Sequence, residues 1–224
     1  MDAKTVHRWI LHYIIDPSIL APMAAYAWSR FRGGYQRPPW LRPFLRVQVL
    51  DLIQGVIFIA IAMAHHNNQW FRHIVQPIIF TGLLWTLART AEEGARRTRL
   101  YLVCIGVGLA AAVTGVFVNG LLWRNALFMT TQSLIYMGVG TYELRRLFNS
   151  EDDRSLPDRP EFWLAAALLI YGSSALIFSA TSNYLLRTLS AQMVRVPWIV
   201  NGIVIVCYEL ALAKVFLCRK STSS

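Results

Sequence analysis

The sequence predicts an all-α integral membrane protein, a single domain over residues 1–224 folded as a bundle of seven transmembrane helices. Three observations predict it. Hydrophobic residues make up 55% of the chain and charged residues 15%, with a mean hydropathy of +0.41, a balance that suits lipid better than water. Apolar stretches of about 20 residues, the length that crosses the hydrocarbon core, recur seven times. Basic residues gather on alternate connections between those stretches, which gives the bundle a direction.

The spans lie roughly at residues 8–28, 44–64, 70–88, 100–123, 126–146, 162–186 and 197–218. Asp16, Pro17 and Pro22 interrupt the first and predict a kink or a short unwound turn there. Met1 to Trp9 lack the charged, apolar and small-residue order of a cleaved signal peptide, so the first stretch is expected to be a retained helix. Trp40, Trp70, Trp85, Trp123, Trp163 and Trp198 fall mostly near span ends, where an indole keeps its ring in the boundary and its N–H in water. Between spans 1 and 2 lie Arg30, Arg32, Arg37, Arg42 and Arg46. Between 3 and 4 lie Arg89, Arg96, Arg97 and Arg99; between 5 and 6, Arg145, Arg146, Arg154 and Arg159; and Arg219 and Lys220 follow span 7. The opposite side holds Lys4, Arg8, Arg72, Arg124, Arg187 and Arg195, a split of fifteen to six that puts the N-terminus outside and the C-terminus in the cytoplasm.

The connections on the outer side are short, about three to ten residues, so spans 2 and 3, 4 and 5, and 6 and 7 are expected to be antiparallel neighbours. The stretch from Asn149 to Pro160 reads as a solvated acidic connector. Gly106 and Gly108, Gly115 and Gly120, Gly138 and Gly140, and the run Gly172-Ser173-Ser174 mark places for close helix approach. The net charge of +10 is scattered between apolar runs instead of lining one face, which excludes a nucleic-acid partner. Cys104, Cys207 and Cys218 form no CxxC or Cys/His pair, so neither a disulfide framework nor a zinc finger is expected.

Polar side chains are costly inside a span, so each should face the bundle, pair or line a cavity. His7, His12, His65, His66, Asn67, Asn68, His73, Gln76, Asn119, Thr131, Gln132, Asn183 and Tyr184 all fall at the outer level with this topology. A ligand pocket opening outward is expected from His65, Asn68, His73, Gln76, Asn119, Gln132, Asn183 and Tyr184. Imidazoles at one level also admit a metal or haem site at His65, His66 and His73, although no HxxxH or HExxH spacing supports it. Histidines that only bond loop carbonyls and water are the plainer explanation. Toward the cytoplasm lie Asp51, Gln54, Glu143, Glu209 and Lys214, of which Asp51 and Lys214 are placed to form a structural ion pair. Lys214 is not mid-membrane and the third span offers no carboxylate counter-ion, which disfavours retinal.

Pro160, Phe162, Trp163, Tyr171, Gly172, Ser173, Asn183, Tyr184 and Leu185 form a pattern of Pro-x-Phe-Trp, then Tyr with small residues, then Asn-Tyr-Leu. With Asn67-Asn68-Gln69-Trp70 and His73, and with Gln132-Ser133-Leu134, Tyr136 and Tyr142-Glu143-Leu144, this pattern resembles small bacterial seven-transmembrane-helix proteins and the membrane sensor regions associated with histidine kinases. The resemblance covers much of residues 60–218. It implies the bacterial inner membrane and a sensory role, and it draws attention to Asn68, His73, Gln132 and Asn183. The chain departs from the fused versions by carrying no kinase module after Cys218, so output is expected to pass through a separate histidine kinase or another membrane protein.

The function expected from these residues is that of a sensory, receptor-like protein more than an enzyme, with the lipid bilayer and a signalling partner as its contacts. A metal- or haem-binding redox protein or enzyme and an accessory subunit of a larger membrane complex remain as rivals, and association into a homo-oligomer stays open.

Overall fold

A computed structural model describes residues 18–33, 35, 38–64, 67–89, 95–150, 154–188 and 195–218. The described residues form seven α-helices: α1 (Ala21–Arg32), α2 (Leu41–Met63), α3 (Gln69–Arg89), α4 (Ala95–Asn119), α5 (Ala126–Phe148), α6 (Pro160–Thr188) and α7 (Arg195–Phe216). A short 3-10 turn, Leu156–Asp158, precedes α6. Each helix matches one expected span with its ends moved by a few residues, except that the expected first span, 8–28, lies partly outside the described residues.

Local chemistry sets the helix ends. Pro22 sits in the first turn of α1, where a missing N–H costs nothing. Gly120 closes α4 at φ 76, in the left-handed region, and donates its N–H to the Val116 carbonyl at 2.8 Å. The Asn125 side chain caps α5 by accepting the Phe128 N–H at 3.1 Å.

Three helices contain segments long and apolar enough to cross a membrane: Leu41–Ile61, Arg96–Asn119 and Ile199–Phe216. Their outward faces match that reading. On α4, Leu102, Val103, Val107, Leu109, Val113, Phe117 and Val118 are exposed while Tyr101, Ile105 and Ala112 are buried. A continuous exposed apolar face of this extent is unfavourable in water and ordinary against lipid.

The helices form a ring in which sequence neighbours pack side by side and α1 returns to pack on α7. Tyr26 of α1 and Phe44 of α2 both meet Phe216 of α7, with ring centroids 5.6 and 5.4 Å apart, and this aromatic cluster closes the circle. Neighbours run antiparallel. One end of the ring carries the short α2–α3 and α4–α5 connections and is called here the turn end; the other, with the arginine-rich connections, is the basic end.

α5 and α6 approach each other closely at two glycines. A Cβ on Gly140 would sit 2.8 Å from the Ala165 carbonyl oxygen, and one on Gly172 would sit 2.7 Å from that of Ser133. Only hydrogen fits at either place. Gly108 admits the Phe80 ring and Gly115 the Asn125 amide, whereas Gly106 and Gly138 face open space. Of the small residues expected to mediate packing, one face of each pair does so.

At the basic end, Glu143 of α5 is fully buried and gathers three partners. Arg97 of α4 lies 2.8 Å from one carboxylate oxygen and donates its Nε–H to the other at 3.1 Å; Arg146 donates at 3.1 Å; and the Tyr101 hydroxyl also donates to Glu143. The cluster fastens α4 to α5 where their apolar surfaces give no directional contact. Nearby, the Trp40 indole donates to Glu161 at 3.1 Å and Trp163 to the Pro157 carbonyl at 2.8 Å, fixing the entry to α6.

Two outcomes follow from this packing. Gly172→Val is expected to lower stability by about 1–3 kcal/mol through overpacking, while Gly138→Val leaves it nearly unchanged, as read by thermal unfolding in detergent. Glu143→Ala leaves Arg97 buried without its carboxylate and is expected to cost about 3–5 kcal/mol, against a smaller loss for Glu143→Gln in the same assay.

Candidate functional site

The polar residues of the helices converge inside the ring. Asp51, Gln54, Gly55 and Phe58 occupy positions i, i+3, i+4 and i+7 of α2 and so share one helical face. Arg72, Gln76 and Ile79 do the same on α3, and Gln132 and Tyr136 on α5. These three faces, with Tyr171 of α6 and Tyr208 and Glu209 of α7, enclose a cavity of about 400 Å³. Ile19 and Leu20, just before α1, cover part of its side. The volume lies within the range of pockets that hold small organic molecules.

The aromatic wall is continuous. Tyr136 and Tyr171 have ring centroids 5.9 Å apart, Tyr171 and Tyr208 5.1 Å apart, and Phe80 backs Tyr136 at 5.7 Å. Gln132 donates its amide to the Tyr136 hydroxyl at 3.1 Å, while its carbonyl oxygen is buried without a hydrogen-bond partner among the described residues. The Gln54 carbonyl oxygen and the Arg72 Nε are in the same state. The Arg72 guanidinium lies over the Phe58 ring at 4.9 Å. Buried polar atoms are nearly always satisfied in folded proteins, and three that have no described partner gather around this one cavity; Thr81 Oγ1, which does not line it, is a fourth atom of this kind.

At the turn end a second, much smaller space of about 10 Å³ is lined by Arg72, His73, Gln76, Arg124 and Asn125 among others. It is at the lower limit for a single water. Both nitrogens of His73 are engaged: Nε2 is 2.9 Å from the Trp123 carbonyl oxygen and Nδ1 is 3.3 Å from the Asn125 amide. Asn125 donates to Nδ1, so the ring proton sits on Nε2 and is given to Trp123. The other N–H of Asn125 goes to the Ala112 carbonyl at 2.9 Å. His73 is thereby a tie between α3 and the α4–α5 connection, and a metal at either nitrogen has to displace one of these bonds.

The residues expected at the outer level separate in the structure. Gln76 and Gln132 line the large cavity, and His73 and Gln76 line the small one. Asn68 bonds the Phe58 carbonyl at 3.3 Å and Asn119 bonds that of Gly115 at 3.2 Å; both serve their own connections and neither lines either space. His65 and His66 lie outside the described residues, as do the side chains of Asn183 and Tyr184. No group of three or more His, Cys, Asp or Glu side chains able to hold a metal ion occurs among the described residues. Asp51 and Lys214 form no ion pair. Asp51 faces the cavity, whereas Lys214 is exposed on α7 with its Nζ 5.9 Å over the Trp163 ring.

Depth along the sequence places Asp51, Gln54 and Glu209 at a separate cytoplasmic level and does not bring Tyr136, Tyr171, Tyr208 or Arg72 to the site. The i, i+3, i+4, i+7 spacing of Asp51, Gln54, Gly55 and Phe58 was the available signal, because it sets polar groups of different depth on one inward face.

No known protein family, curated protein or solved structure matches this chain. Asn125 is the joint on which the turn end depends, through its cap to Phe128 and its bonds to Ala112 and His73. Asn125→Ala is expected to lower stability by about 2 kcal/mol in thermal unfolding, with Asn125→Asp retaining the cap and recovering part of the loss.

Proposed function

We propose that this chain is a seven-helix, receptor-like protein of the bacterial cytoplasmic membrane that binds a small ligand in the axial cavity and transmits a change in helix arrangement to a separate partner. The observation that carries the reading is the cavity of about 400 Å³ with unpartnered buried polar atoms on three of its helices. A protein whose helices serve only to pack has no reason to leave such atoms unsatisfied. Among the described residues the walls combine carboxyl, amide, guanidinium and aromatic groups, a lining suited to binding a small molecule.

All seven helices are read as spanning. α3, with 21 residues, extends about 31 Å, enough to cross. Its hydropathy is lowered by Arg72, Gln76 and the other polar residues that face inward, as that of α5 is by Gln132 and Glu143. With the fifteen basic residues of the richer side in the cytoplasm, the turn end faces outside. Arg72 and Gln76 then lie within the first two turns from the outer boundary, and Asp51 and Glu209 lie deeper. A ligand acts by binding one arrangement of α2, α3, α5 and α7 more tightly than another, and the arginine-rich connections at the basic end present that difference to the partner, a histidine kinase or another membrane protein.

Accessibility tests both sidedness and pocket. In a chain with its three native cysteines replaced by alanine, Gln76→Cys is expected to react with a membrane-impermeant maleimide on intact spheroplasts, and a C-terminal alkaline phosphatase fusion to be inactive. Labelling confined to inverted vesicles, with an active fusion, reverses the topology; no labelling from either side removes the pocket.

A further inference from the structure

The cavity walls are unbalanced in a way that specifies the chemistry of the occupant. Asp51 of α2 and Glu209 of α7 both line the space, and neither carboxyl group makes a hydrogen bond or ion pair with another described residue. Glu209 is 4% exposed, so water outside the bundle does not solvate it. The Gln54 and Gln132 carbonyl oxygens, on side chains 5% and 3% exposed, add two more acceptors without donors. Against these four acceptor groups the cavity sets one cationic side chain, Arg72, which stacks on Phe58 and forms no ion pair with either carboxyl. Two carboxyl groups and one guanidinium leave room for one further positive charge.

We propose that the cavity binds a small organic monoamine, its ammonium group held by Asp51 and Glu209 and its apolar body lying along the tyrosine wall. The assignment rests on the reading of this cavity as a ligand pocket. An ammonium brings three N–H donors and a positive charge to two carboxyl groups that make no hydrogen bond with another described residue. The faces of Tyr136, Tyr171 and Tyr208 attract a cation and at the same time bury hydrocarbon. Ile79, Ile205 and Ile19 complete an apolar side. A bare metal ion leaves most of about 400 Å³ unfilled and finds two carboxyl ligands without a third. An anion meets two carboxyl groups against the one guanidinium of Arg72. A diamine brings one charge more than the walls balance.

The test uses the full-length protein in lipid nanodiscs and follows its thermal unfolding with butylamine, cyclohexylamine and 2-phenylethylamine as probes. Controls are 2-phenylethanol as the neutral counterpart, 1,4-diaminobutane as the dication and sodium chloride at equal ionic strength. At least one monoamine is expected to raise Tm saturably while the controls do not, and Asp51→Asn and Glu209→Gln are each expected to weaken that response at least tenfold in ligand concentration. Unliganded Tm values report whether each variant folds, and if one does not, the other decides. No response to any monoamine, an equal response to the alcohol, the diamine or sodium, or an unchanged response in the folded variants overturns the proposal. A missing amine response together with outside labelling of Gln76→Cys removes the amine alone and leaves the pocket standing, whereas failure of both removes the pocket reading as well.

Discussion

The contact between α5 and α6 at Gly140 and Gly172 fixes the positions from which the interior is built. A side chain at either glycine would enter the facing backbone, so the two helices approach backbone to backbone here. Residues next to the contact are placed by it. Tyr171 adjoins Gly172, Tyr136 lies one turn from Gly140, and Gln132 precedes Ser133, whose carbonyl faces Gly172. The tyrosine wall of the cavity therefore follows from two missing side chains some way behind it. Widening this contact moves the wall, which links helix packing to the shape of the pocket.

The ring is held differently at its two ends and its middle. Along α4 the outward face is apolar and gives no directional contact, so α4 is tied by polar clusters: Glu143 with Arg97, Tyr101 and Arg146 at the basic end, and Asn125 with His73 and Ala112 at the turn end. Both clusters satisfy their members internally. The middle does the opposite, presenting Asp51, Glu209, Gln54 and Gln132 to open volume. The polar groups of these two clusters are hydrogen-bonded to one another, whereas Gln54, Gln132 and Arg72 around the cavity each keep a buried polar atom without a hydrogen-bond partner among the described residues.

A ligand that satisfies the central groups gains free energy only in the arrangement that brings α2, α3, α5 and α7 to it together. The same helices carry the basic end: α3 ends at Arg89 and α5 at Arg145 and Arg146, the last bonded to Glu143. On the proposed function, a shift of α5 toward an occupied cavity would be felt at the ion cluster, where a buried pair tolerates few intermediate geometries. The route is short, about two turns of one helix from Tyr136 to Glu143.

The sequence by itself determined the helical class and the positions of the helices, because apolar runs of spanning length and their Pro, Gly, Asn and Trp punctuation are local properties of the chain. It also determined that Gln76 and Gln132 are interior, since an amide within an apolar helix has nowhere else to find partners. Gly140 and Gly172 were legible as small residues, but not which of the neighbouring glycines meets a backbone. Only the tertiary structure decided the site. Depth along a helix is readable from sequence, whereas the rotation of each helix about its axis is set by its neighbours; that rotation turned Asp51 away from Lys214 and toward Glu209, engaged His73 with loop carbonyl and amide, and brought Arg72 into the same volume as three tyrosines.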